Sequence, residues 1–221
     1  MPAADRAWWS RLYTEANLPR LPWAAHEPFP PFVQAVAAGA LPAPGPVLDI
    51  GCGLGANALW LARHGFRATG IDIAPGAIAA AESRRTPRDG KAKFLVDDVL
   101  ASDLPPRSFR GAVDVGCFQT LPPGKRSEYA EGLATLMRPQ GKLVLFWVAR
   151  EETGTWGPPH RMSVKEVVDT FESRFVVRHT EFRPRTVRLT SAVRRSGRPL
   201  LVLAGYTAHL ELRKAPQPPA R

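Results

Sequence analysis

Cysteine is scarce in this chain, with two in 221 residues. Cys52 and Cys117 are too few for a disulfide framework and show no CxxC or Cys/His spacing that would hold zinc, so both read as free thiols and no metal is expected. Long apolar runs are missing too. No stretch approaches the roughly 20 residues of a membrane span, and the start, Met1 through Trp9, lacks the apolar core of a signal peptide. The expectation is a cytoplasmic protein with no membrane partner. Acidic residues are in the minority, 20 against 30 basic, for a net charge of +10. That shortage is local: residues 183–221 hold nine Arg/Lys and one Glu, a net of +8, which leaves +2 for the main body. A nearly neutral body argues against a protein built around nucleic acid and assigns the basicity to a solvated C-terminal face or to attraction of an anionic ligand.

From Val47 onward, short apolar runs alternate with amphipathic stretches, the pattern of a doubly wound, mostly parallel α/β sheet with helices on both faces. Ahead of it, residues 1–40 read as a helical, aromatic-rich prelude, with Trp8, Trp9, Leu12 and Tyr13 near helical spacing. Proline-broken chain from Pro19 to Pro31 and a linker from Leu41 to Pro46 follow. Strands are expected at Val47–Ile50, Ala68–Ile73, Lys93–Val96, Ala112–Gly116, Lys142–Val148 and Phe175–His179. Helices are expected at Asn57–His64, Pro75–Arg85 with its proline at the start, Lys125–Met137 and from the capping box Ser163-Val164-Lys165-Glu166 to Phe171. Pro139-Gln140-Gly141 reads as a turn. Apolar runs at Leu200–Ala204 and Tyr206–Leu212 compete for the seventh strand, the second being favoured. Residues 215–221 read as a disordered tail.

Ligands of open parallel sheets bind beyond the carboxyl ends of the strands, where strand order reverses. Gly51, Gly53 and Gly55 follow the first strand and lead into a helix whose N-terminus, with Asn57 in its first turn, favours an anionic group. Asp72 ends the second strand 21 residues past Gly51, placed to accept from both ribose hydroxyls, with Ile73 beside the adenine. Asp97 and Asp98 end the third strand, where a carboxylate can accept from the adenine amine, with Val99 flanking. Asp49 orients the glycine turn or meets a cationic part of the ligand. Gly116 and Cys117, after the fourth strand, close the circle. The glycines alone also satisfy the dinucleotide pattern GxGxxG/A. Asp49, the Asp97-Asp98 pair and the lack of a Tyr-x-x-x-Lys pair favour S-adenosylmethionine, with S-adenosylhomocysteine as product.

Val-Leu-Asp-Ile-Gly-Cys-Gly-Leu-Gly at 47–55, Gly-Ile-Asp-Ile at 70–73, Phe-Leu-Val-Asp-Asp at 94–98 and Asp-Val-Gly-Cys-Phe-Gln-Thr-Leu-Pro at 114–122 resemble the class I S-adenosylmethionine-dependent methyltransferases. Together with Pro22-Trp23, the last is similar to the branch of thiopurine, thiol or halide methyltransferases and tellurite-resistance proteins. The resemblance implies a Rossmann-like seven-stranded sheet with the last strand antiparallel. It further implies an N-terminal helical lid and linker over residues 1–45, a methyltransferase domain over 46–214, and a small nucleophilic acceptor. Gln119 stands where the branch has His, and Ala24 and His26 stand where it has Asp and Gly, so the acceptor is not inherited.

In-line transfer from a sulfonium needs alignment and water exclusion, and a base only for a protonated acceptor. His26 is the expected base, with Gln119 as a second catalytic candidate. Tyr13, Trp147, Arg150 and His160 are expected on the acceptor side, and Trp23 over the cofactor. Two rival readings stay open. One is nucleic-acid methylation through the basic segment, which lacks an Asn/Asp-Pro-Pro-Tyr/Phe motif to grip a flipped base. The other is a cofactor-binding protein without transfer. Either a monomer or a homodimer fits.

Overall fold

β1 (Pro46–Ile50), β2 (Arg67–Asp72) and β3 (Lys93–Val96) pair in parallel, and β4 (Phe109–Val115) returns to the other side of β1, so strand order reverses between β1 and β4. The computed structural model describes residues 6–14, 18, 21, 23–24, 26–42, 44–150, 160–188 and 200–213, with backbone alone along 182–188 and 200–207. β5 (Met137–Val148), β6 (Phe175–Arg188) and β7 (Leu200–Leu212) complete a seven-stranded sheet in the order β3-β2-β1-β4-β5-β7-β6. β7 enters between β5 and β6, antiparallel to both. Seven strands with the last one antiparallel agree with the expected architecture.

Alternation along the central strands decides which side each helix covers. Leu48, Ala112, Leu143, Leu145 and Trp147 lie in one apolar cluster with Tyr129 and Leu133 of α5 (Arg126–Leu136) and Phe171 of α6 (Val164–Phe171). Val47, Val113, Val144, Phe146 and Val148 lie in the other, with Phe32 of α2 (Pro30–Ala37), Leu61 of α3 (Ala56–Arg63) and Ala81 of α4 (Pro75–Ser83). Both sides are therefore dry, and each fully buried side chain such as Leu145 or Phe171 contributes about 1.5–3 kcal/mol. A third, smaller cluster joins Trp9 and Leu12 of α1 (Arg6–Leu12), with Tyr13, Leu21 and Ala24, to Leu54, Ala74 and Ala77. No helix among the described residues is long and apolar enough to cross a membrane.

Several elements differ from expectation. α2 begins at Pro30 and Pro31, because the first helical positions need no N–H partner; the proline-rich stretch starts a helix where only a break was expected. β5 begins at Met137 and absorbs Pro139-Gln140-Gly141: Phe109 pairs Met137 and Gly111 pairs Lys142, so the turn residues form an irregularity inside the strand, with Gln140 at φ 64°. β6 continues past His179 through a register shift between Val177 and His179, and both apolar runs of the C-terminal region belong to β7. The expected tail at 215–221 lies outside the described residues.

Candidate active site

The turn after β1 and the turn after β4 meet where strand order reverses. Gly51, Gly53 and Gly55 take φ of 60°, 53° and 74°. A Cβ on Gly51 would lie 2.6 Å from Cβ and 2.9 Å from Sγ of Cys117, so only glycine lets the two turns approach. Four buried or half-buried carboxylates hold this junction. Asp49 Oδ2 accepts from the backbone N–H of Ala58 at 3.0 Å, bracing α3 against the strand end, and burial pushes its pKa up to about 8. Asp72 accepts from Gly53 N–H at 3.0 Å and Ala74 N–H at 2.9 Å; burial raises its pKa against those donors. Asp97 accepts from Asp98 N–H and Ser102 Oγ, while Asp98 Oδ1 accepts from Leu100 N–H at 3.0 Å.

Asp114, near the end of β4, organises the second turn. Its Oδ1 accepts from Cys117 N–H at 2.8 Å, and its Oδ2 accepts from Phe118 N–H at 2.9 Å and Tyr129 Oη at 2.7 Å. Burial raises it to about 6. The legible signal was an acid in an otherwise apolar strand, two residues before a glycine. Gln119 Oε1 accepts from Val148 N–H at 2.6 Å, tying this turn to the end of β5. Burial, then Asp114, pushes the Cys117 thiol well above its ordinary range, so it stays neutral.

Tyr13 joins the same place from the N-terminal segment. A Cβ on Gly53 would lie 3.2 Å from its Oη, and one on Gly76 only 1.8 Å from its backbone oxygen. The Tyr13 hydroxyl is buried and, by that burial and then by Asp72, held neutral. Trp23 is half-exposed, with its ring 6.2 Å from that of Trp9.

Not every expected site residue lies at the glycine turn. His26 is exposed and lines a cleft of about 520 Å³ with Glu27, Gln34, Trp60, Arg63 and Arg84; none of the carboxylates at the junction lines it. Arg84 donates to Leu54 O at 2.6 Å and His26 O at 2.5 Å, linking that loop to the glycine turn. Asn57 Oδ1 accepts from Phe29 N–H at 3.0 Å and so anchors the loop before α2. Val99 packs in the apolar cluster under α5. Trp147 is fully buried, its Nε1–H donated to Met162 O at 3.0 Å. Ile73 is half-buried at the end of β2. Arg150 is exposed and paired with Glu166, and half-buried His160 is held below its ordinary pKa by burial and then by Arg126.

This junction fits S-adenosylmethionine: side-chain-free turns where the methionine end would lie, a helix N-terminus beyond them, and acids at the ends of β2 and β3. Residues 47–141 match the model of a methyltransferase domain. The chain is 32% identical to 2-methyl-6-phytyl-1,4-hydroquinone methyltransferase of Synechocystis sp. over 66% of its own length and 52% of the relative's. It is 29% identical to thiopurine S-methyltransferase of Pseudomonas fluorescens over 60% and 67%. It thus spans about half the length of the first of these relatives. A structure solved in work on the conversion of a disulfide bond into a thioacetal group during echinomycin biosynthesis superposes with a TM-score of 0.78 at 22% identity, covering 94% of this chain and 92% of that one. The sheet order, the left-handed glycine turn and the matching model together make residues 47–141 a class I methyltransferase domain, whose cofactor is S-adenosylmethionine.

Proposed function

We propose that the protein transfers a methyl group from S-adenosylmethionine to a small-molecule acceptor, with residues 1–45 acting as a lid over the cofactor. One observation carries the reading: the contact of Gly51 with Cys117, which brings the cofactor turn and the turn after β4 together at the reversal of strand order. When bound, the cofactor supplies a sulfonium methyl; the acceptor's lone pair forms the new bond to carbon as the C–S bond breaks, its electrons passing to sulfur to leave S-adenosylhomocysteine. The chain's own contribution is placement. Gly51 and Gly53 leave backbone open to the methionine end, Asp72 offers acceptors to the ribose, and Asp98 offers one to the adenine amine. Packing of Trp9, Leu12, Tyr13 and Leu21 on Leu54, Ala74 and Ala77 supports water exclusion from above. Such alignment is worth roughly 7–11 kcal/mol in favourable cases.

A soft anion needs no base. For an acceptor that must lose a proton, His160 is the better imidazole: it is held neutral and sits two residues before Met162, which pairs Ala149 beyond the end of β5. His26 lies in the separate cleft. The test is transfer of labelled methyl across a panel of thiols, halides, oxyanions, phenols and amines, with cofactor affinity measured alongside. Tight cofactor binding with no methylated product across the panel would support a non-catalytic binding protein instead.

A further inference from the structure

α5 opens on Arg126, a poor place for an unpaired cation. A helix N-terminus carries partial positive charge and disfavours a guanidinium there, and the residue Arg126 as a whole is only 8% exposed. Its Nε has no hydrogen-bond partner among the described residues. Native proteins rarely leave such a donor unmet without a reason, and a buried charge without a counter-charge is costly.

The neighbouring charges do not resolve the imbalance. Glu166 is the acid that faces Arg126, but its carboxylate already accepts from Ser163 N–H and Oγ, both at 2.8 Å, and from Arg150 Nε at 3.1 Å. Those donors hold it as an anion with a pKa near 2. Arg150 adds a second positive charge, and burial together with Arg126 keeps His160 neutral. Two guanidiniums thus face one carboxylate that is already occupied. The group's position matters as much as its charge. Arg126 follows the short turns Phe118–Thr120 and Pro123–Lys125 that leave the cofactor junction, and Arg150 follows the end of β5, to which Gln119 is bonded. Both flank the carboxyl ends of β4 and β5, the side from which an acceptor must reach the methyl group.

We propose that Arg126 anchors an anionic group, a carboxylate, phosphate or sulfate, on the methyl acceptor. The assignment rests on the methyltransferase reading above and narrows it: the acceptor is an anion whose charged end lies on α5 while its nucleophile faces the junction. A charge-assisted hydrogen bond from a buried guanidinium gives both grip and direction.

The test separates anion binding from transfer. Calorimetry on the full chain saturated with S-adenosylhomocysteine would use benzoate and phenyl phosphate as probes, with uncharged benzamide as control. The wild type should bind one or both anions and not benzamide, and Arg126→Gln should weaken that binding by about 10- to 100-fold. Arg126→Lys should keep part of it, which guards against a glutamine variant that fails to fold. In transfer assays, 4-mercaptobenzoate should be favoured over 4-mercaptobenzamide by the wild type through KM, with the preference gone in Arg126→Gln and cofactor affinity unchanged. Equal anion binding in wild type and Arg126→Gln, or no binding by the wild type, overturns the anchor. Anion binding lost in Arg126→Gln with no methylation of any acceptor leaves the site standing and sinks the methyltransferase reading.

Discussion

A methyl group added at Gly51 would meet the Cys117 side chain at under 3 Å and would sit at φ 60°. Gly51→Ala is therefore expected to cost about 1–3 kcal/mol of stability and, more tellingly, to abolish cofactor binding by forcing the two turns apart; calorimetric titration with S-adenosylhomocysteine checks this. Asp49 makes a different prediction. Folding raises its pKa from 3.8 to about 8, so the fold favours its protonated form. Its contribution is intact below about pH 3.8 and is lost as pH rises toward 8. Asp114 acts in the same sense, up to about 6. Cofactor-free protein should then lose melting temperature as pH climbs from 4 to 8, and Asp49→Asn, which keeps an acceptor for Ala58 N–H, should flatten that decline. A slope unchanged in the variant would remove Asp49 as its source. At this scale the sequence was legible where spacing sets position: Gly51, Asp72 and Asp98 stand at the carboxyl ends of β1, β2 and β3. It was silent on contacts across the fold: spacing could not say that Asn57 would serve Phe29 or that Trp147 would turn its N–H toward Met162.

Between elements, Arg84 at the end of α4 is the clamp. Its two donated hydrogen bonds join the glycine turn at Leu54 to the loop at His26, which lies 58 residues before Arg84. Arg84→Ala should raise the KM for S-adenosylmethionine several-fold while leaving the saturated rate nearly unchanged, and should speed hydrogen exchange of amides near Leu21 and Ala24. A lowered saturated rate with unaltered KM would argue for a role in chemistry instead. The cap of α6 is a simpler case. Ser163 and Glu166 bond reciprocally, so Ser163→Ala should cost about 1 kcal/mol, read as a lower melting temperature. That helix was readable because a capping box is a local pattern. β6 and β7 were less so, because their pairing is long-range. The strand expected to end at His179 passes a register shift between Val177 and His179 and runs on, and Arg-rich residues from Arg183 to Arg188 pair with the run Leu200–Gly205, an order that no single-strand periodicity announces.

Across the whole molecule, charge and topology coincide. β7 leaves its pairing with β5 at Val148↔Gly205, and the β6–β7 ribbon continues from Pro184↔Ala204 to Arg188↔Leu200. Five further residues of strand carry it about 17 Å beyond the end of β5, past the edge where the cofactor junction opens. The basic surplus of residues 183–221 thus begins on a projecting ribbon, while residues 1–182 are nearly balanced. This arrangement makes binding of polyanions separable from methyl transfer. Deleting the chain after Phe182 would not test the separation, because β7 lies between β5 and β6 and its loss would break the sheet. Replacing Arg183, Arg185 and Arg188 by Gln leaves the backbone pairing in place. If each arginine meets one phosphate, the triple variant should lower the salt dependence of polynucleotide retention by a log–log slope of about 2.7. Its transfer to a neutral thiol should stay unchanged at every salt concentration. Transfer that falls in step with polynucleotide binding would instead join the ribbon to the chemistry and favour a nucleic-acid acceptor.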